Sequence, residues 1–157
     1  MQRRVKSIMC GLGALALALG ISFQAWAASG QPTIITLTQT GCQIVEVEAR
    51  DHGYQPQTAV DCKAINRRTA KDRMAHADTL ELQPGKYVFR VTNKNVPYDL
   101  GFYLRGAGLG RLTLPKVSGG GLHPGATKDY EIDLREGEYV YSCPLNPTPN
   151  YRLVVKQ

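Results

Sequence analysis

The chain carries none of the short motifs that mark common catalytic chemistries. A metalloprotease helix motif, a glycine-rich phosphate loop ending in Lys-Ser/Thr and a Gly-x-Ser-x-Gly turn are all missing from its 157 residues. No carboxylates stand as a paired acid and base. Asp129, Glu131 and Asp133 are spaced by two, which on a strand gives one solvated row opposite Tyr130, Ile132 and Leu134. No block of basic residues interleaved with aromatics occurs, so nothing points to a nucleic-acid partner. There are no internal repeats and no sign of a second domain. Histidine is scarce, with three in the chain, and Met74 with His76 is too little for a metal-handling tract. The expectation is a protein that is not an enzyme.

What is present begins with a leader. Arg3, Arg4 and Lys6 precede an uncharged stretch from Ser7 to Phe23 and the small-x-small exit Ala25-Trp26-Ala27. This is the pattern of a secretory signal cut after Ala27. A retained membrane anchor is the alternative, because the uncharged stretch nearly suffices to span a bilayer. The Ala-x-Ala exit and the many glycines and alanines favour cleavage, leaving residues 28–157 as one exported, periplasmic or secreted domain with no stable membrane span. Cys10, preceded by Met9, stands too early for a lipoprotein cysteine. Loss of the leader's three cations lowers the net charge from +6 to +3, a mild positive balance that suits an acidic partner surface.

An oxidising compartment lets disulfides persist, and the exported part holds Cys42, Cys62 and Cys143. An odd count leaves one thiol over. Cys42 follows Gly41 at a strand edge and Cys62 follows a Gln-, Gly- and Pro-containing loop. We pair these two, a bridge worth about 3 kcal/mol on the chain-entropy model. Pairing of Cys143 with either of them is the alternative.

Strand signals dominate. Thr33 to Thr38 is β-branched, and Gln43 to Glu48 alternates apolar and polar residues. Asp51 to Pro56 has turn chemistry. From Asp61 to Met74 the composition turns to Lys, Arg, Ala, Asn and Asp with only a weak apolar stripe, so a short helix or irregular insert is expected. Tyr87, Phe89 and Val91 share a strand face after the Pro84-Gly85 turn, and Tyr98 to Leu104 reads as the next strand. Gly119-Gly120-Gly121 reads as flexible. Tyr130, Ile132 and Leu134 alternate before the Glu136-Gly137 turn, Tyr139, Tyr141 and Cys143 alternate after it, and Tyr151 to Lys156 closes the chain. Short alternating strands between Gly/Pro turns indicate an all-β, antiparallel sandwich.

Four segments carry a family likeness. They are Leu82-Gln83-Pro84-Gly85-Lys86-Tyr87-Val88-Phe89-Arg90-Val91-Thr92-Asn93, Val96-Pro97-Tyr98-Asp99-Leu100-Gly101-Phe102, Pro124-Gly125-Ala126-Thr127 and Gly137-Glu138-Tyr139-Val140-Tyr141-Ser142-Cys143. In this order the chain from about Thr79 to its end resembles the cupredoxins, the blue-copper proteins. The segment from Gly41 to Met74 matches no familiar subgroup. The resemblance implies a Greek-key β-sandwich of cupredoxin type.

Copper-binding members hold the metal with two imidazoles, a thiolate and a weak axial thioether. The resemblance places these ligands at Tyr98, Cys143, Asn146 and either Pro149 or Asn150, so only the thiolate is retained. No metal and no cofactor are therefore expected. The alternative is a nonstandard copper site joining Cys143 to His123 or His52, which would make the protein an electron carrier. A thiol-based enzyme ranks third, because no basic neighbour or general base flanks Cys143. The loop after Cys143 is stiffened by Pro144, Pro147 and Pro149, and with Tyr151 it is the candidate docking surface, since a stiff loop loses little entropy on binding. By family analogy the implied role is a binding or accessory one, with a protein partner in a periplasmic redox or copper-handling system.

Overall fold

Alternation builds the sheets. A computed structural model describes residues 30–157, and the expected leader, with its expected cleavage point after Ala27, lies outside the described residues. The elements are β1 (Thr33–Thr40), β2 (Gln43–Ile44), α1 (Val45–Glu48), α2 (Ala59–His76), β3 (Leu80–Leu82), β4 (Gly85–Asn93), β5 (Leu100–Gly106), β6 (Val117–Leu122), β7 (Thr127–Leu134), β8 (Gly137–Ser142) and β9 (Tyr151–Val155). A 3₁₀ turn covers Gly108–Leu112. One sheet has the order β2-β1-β4-β7 and the other β3-β9-β8-β5-β6. Among the described residues no helix is long and apolar enough to cross a membrane.

The sandwich is as expected, but its sheets are mixed and not wholly antiparallel. β1 runs parallel to β4, from Thr33 beside Tyr87 to Gln39 beside Asn93. β3 runs parallel to β9. Parallel neighbours need a long crossover, and the segment holding α2 provides it between β1 and β4. The two inner faces meet around Phe102, whose ring lies 5.6 Å from Phe89, 5.2 Å from Tyr130 and 6.1 Å from Tyr141. Each such buried side chain contributes roughly 1.5–3 kcal/mol by leaving water.

Three local expectations are corrected and one is made specific. The strand predicted over Gln43 to Glu48 lasts only through Ile44, and the chain then coils into α1. Left-handed φ values at Cys42 (63°) and Ala49 (57°) bracket this reversal, which carries Glu48 inward. The expected helical insert is the 18-residue helix α2, fastened at its start by Asp61 Oδ2, which accepts the N–H groups of Gln57 and Thr58. The apolar stripe is weak because the inward stripe is largely polar: Cys62 and Arg73, buried, and Asn66 and Thr69, half-buried, recur at helical spacing. The strand expected from Tyr98 begins at Leu100, since the Asn93 amide ties the carbonyls of Val96 and Tyr98 into a loop. Finally, Gly119 to Gly121 is part of strand β6. Its glycines admit close neighbours: a Cβ on Gly101 would stand 2.6 Å from the Gly119 carbonyl, and one on Gly119 would stand 3.0 Å from the Tyr130 ring.

Candidate functional site

Four segments converge at one end of the sandwich. They are the Gly41-Cys42 turn after β1, the first half of α2, the loop between β4 and β5, and the loop between β8 and β9. Alternation along β8 brings Cys143 inward, and the two prolines on either side of Leu145-Asn146 restrict the loop that follows. Asn93, wholly buried, accepts the Val96 N–H through Oδ1 and donates through Nδ2 to the carbonyls of Val96, Tyr98 and Leu122. The loop bearing Tyr98 is thereby pinned to the sheet.

Asn146 is the centre of this end. It is fully buried. Its Oδ1 accepts the Cys42 N–H at 3.1 Å and the Tyr98 hydroxyl at 3.3 Å. Cys62 Sγ, a disulfide sulfur with no hydrogen to give, lies 3.2 Å from the same oxygen. Asn146 Nδ2 donates to the Thr40 carbonyl at 2.9 Å, and its backbone N–H donates to Cys143 Sγ at 3.2 Å. Asn66 on α2 adds a second clasp, donating to the carbonyls of Cys42 and Pro147. The Cys42–Cys62 disulfide is formed, with Cα atoms 5.0 Å apart, and among the described residues Cys143 is the free cysteine.

Cys143 is sealed. Its thiol accepts N–H groups from Gly101 at 3.3 Å and from Asn146. Burial raises its pKa, and the backbone N–H groups and the Gln39 amide only partly offset this. A protonated, inaccessible thiol is a poor nucleophile. Burial also pushes the Tyr98 phenol up to about 12, with the proximity of Cys143 and Asp61 adding to it. Tyr98 is therefore a neutral hydroxyl at physiological pH.

The histidines lie elsewhere. His123, its side chain 70% exposed, pairs with Asp99 Oδ1 at 2.6 Å. His52 pairs with Glu48 at 2.9 Å and stacks on Tyr54. The structure thus joins neither of them to Cys143. Among the described residues no group of three or more His, Cys, Asp or Glu side chains is placed to hold a metal ion. A soft copper centre asks for imidazole, thiolate and thioether donors. The residues at this end are a neutral phenol, a protonated thiol, an amide whose oxygen already meets three groups, and Pro149, which has no side-chain donor. They do not fit copper.

Tyr151 is not part of an exposed docking loop. It begins β9 and is buried, its hydroxyl accepting the Ile44 N–H and donating to Glu48. Burial, then the Glu48 charge, raises its pKa strongly, which keeps it a donor. Pro144 and Leu145 do face solvent, Leu145 at 47%. They border a shallow groove of about 340 Å³ with Gly101, Phe102, Tyr103 and Gly120.

A second polar cluster is absent from the sequence-based expectations. Glu48, its side chain 1% exposed, accepts Arg73 Nε and Nη2, each at 2.6 Å. Arg73 also donates to the Cys42 carbonyl at 3.2 Å and lies over the Tyr54 ring. Burial opposes the guanidinium charge, but the Glu48 hydrogen bonds and charge outweigh it and raise the pKa. With Tyr151 and His52 on the same carboxylate, the cluster ties α1, α2 and β9 together. The signal was the polar stripe of α2.

No protein-family model and no curated protein sequence matches this chain. Among solved structures it is similar to an oxidised amicyanin variant, at 18% identity over 50% of this chain and 69% of that one, with a TM-score of 0.35. It is also similar to a laccase from Pediococcus acidilactici, at 8% identity over 94% of this chain and 30% of that one, TM-score 0.39. A third similar structure is Fet3p, a multicopper oxidase that functions in iron import, at 11% identity over 94% of this chain and 38% of that one, TM-score 0.38. The two-sheet strand order and the inserted helix are consistent with the cupredoxin-type sandwich that the sequence resemblance implies.

Proposed function

We propose that this chain is an exported, non-enzymatic binding or accessory protein of cupredoxin type. It works through its surface, with no metal at the Cys143 end, in the service of a periplasmic redox or copper-handling system. The observation that carries this reading is Asn146. In the place of a histidine ligand stands a buried amide whose every polar atom is engaged within the protein, so this end of the fold is a closed joint. What it offers outside is the stiff Pro144-Leu145 corner and the groove beside it.

The test is partner capture. Residues 28–157, carrying a photo-crosslinker at Leu145, are exposed to a native periplasmic extract, with Leu145→Asp carrying the crosslinker at Pro144 as the control. A specific protein adduct that the Asp variant loses supports the proposal. Equal adducts with both forms, or none with either, reject this surface as the working one.

A further inference from the structure

The pole opposite Asn146 holds an apolar feature of a different kind. β5 carries the chain away from Gly101, roughly 20 Å along the sheet, into the 3₁₀ turn Gly108–Leu112. Leu109 and Leu112 in this turn are 87% and 86% exposed, the most solvent-exposed large apolar side chains among the described residues. Side chains three apart on a 3₁₀ turn eclipse, so the two leucines form one double prong.

The turn is built rigidly. Ala107 N–H bonds the Glu138 carbonyl at 2.8 Å, and the N–H groups of Thr113 and Leu114 both return to the Gly110 carbonyl. Gly106 lies so close beneath that a Cβ there would stand 2.2 Å from Gly110 O. Leu114 packs over Gly110 and Gly137 and joins the core. One leucine of this segment thus anchors the turn while the other two are held out in water, where apolar area is unfavourable.

Charge says what they face. From Leu100 to Lys128 the sequence has no Asp or Glu, but has Arg105, Arg111, Lys116 and Lys128. Arg111 and Lys116 are exposed, and neither belongs to an ion pair among the described residues. Arg105 lies over Tyr103 at 4.5 Å and bonds Asn150. Its guanidinium also donates to Ser142 Oγ, so it is held back along β5, and the free charges of this pole are Arg111 and Lys116. Of the carboxylates on the neighbouring β7–β8 hairpin, Glu138 is turned to Arg152 at 3.8 Å, and Glu136, beside Gly137, is exposed next to the equally exposed Arg135.

We propose that the Leu109–Leu112 turn is a lipid-inserting tip. The two leucines enter the boundary between headgroups and acyl chains of an anionic bilayer, while Arg111 and Lys116 meet the headgroup phosphates. Apolar burial together with attraction to anionic lipid is how peripheral elements hold a membrane surface, and two leucines make the attachment reversible.

Co-sedimentation with vesicles tests it. Both sheets of the sandwich lie within residues 33–155, so the form 28–157 is used, free of the leader's own apolar stretch. Binding to phosphatidylcholine vesicles containing phosphatidylglycerol is expected. Leu109→Ser/Leu112→Ser should weaken it by about tenfold or more per leucine, and Arg111→Gln/Lys116→Gln should abolish the preference for the anionic lipid. All three proteins should melt alike, since the altered side chains stand in water. No binding by the unaltered protein, or equal binding by the Ser variant, overturns the proposal. A protein adduct at Leu109 without vesicle binding overturns it as well.

Discussion

The two ends of the sandwich break opposite rules. Around Asn146, polar atoms are buried and nearly all are matched. Around Leu109, apolar atoms are exposed and rigidly held. Buried polar groups cost free energy unless hydrogen-bonded, so the first end is read as a joint whose value is internal. Exposed apolar pairs cost free energy unless something covers them, so the second is read as a surface made for contact. A side chain's relation to water, more than its place in a family pattern, separates structure from function here.

The largest effect that would break this contrast is expected at Arg73. Arg73→Met leaves Glu48 buried with Tyr151 and His52 as its remaining partners. Removing one partner of a buried ion pair costs about 3–5 kcal/mol, read as a fall in urea midpoint, and a second change, Glu48→Gln, should restore part of it. Next comes the disulfide. Cys42→Ser/Cys62→Ser opens a cross-link between residues 20 apart in sequence and should cost about 3 kcal/mol, by the same denaturation measurement. Asn146→Ala comes third, at about 2 kcal/mol, because it strands the buried Cys42 N–H and Thr40 carbonyl. The contrast is sharpest against Leu109→Ser/Leu112→Ser at the other pole, which should stay within about 0.5 kcal/mol of the unaltered protein. Equal losses at both poles would erase the distinction.

The remaining effect is on pH dependence. Cys143, Tyr98, Tyr141 and Tyr151 all have raised pKa values, with burial the first cause in each. The folded state then holds these protons more tightly than the unfolded one. Their stabilising contribution is complete below the unfolded values and is lost as pH rises above them, for Tyr98 between 10.0 and about 12. The melting temperature should fall steadily through that alkaline range. A flat profile there would mean these groups are not sequestered from water.

The sequence made the frame legible because alternation is a local signal. Tyr87, Phe89 and Val91, or Tyr139 and Tyr141, declare their buried face without reference to any other segment. The disulfide partners were legible from cysteine arithmetic and the loops around them. The joint was not, because its meaning is long-range: Asn146 bonds Cys42 and Thr40, more than a hundred residues away in the chain. Glu48 and Arg73 carry no local sign of their pairing, which the fold makes across 25 positions. Tyr151 misled for a related reason, its position after three prolines suggesting an exposed loop when Glu48 and Ile44 draw its hydroxyl inside. Gly119 to Gly121 misled because glycine signals freedom locally, while here it permits the close approach of β5 and the Tyr130 ring.

The account stands most directly on the claim that the Cys143 end is closed to metal. Titration of residues 28–157 with copper, followed by visible absorption, measures this. The account predicts no thiolate-to-copper charge-transfer band and an unchanged free-thiol count under denaturing conditions. An intense band that disappears in Cys143→Ala would contradict it, and would make the protein a copper electron carrier with a rebuilt centre.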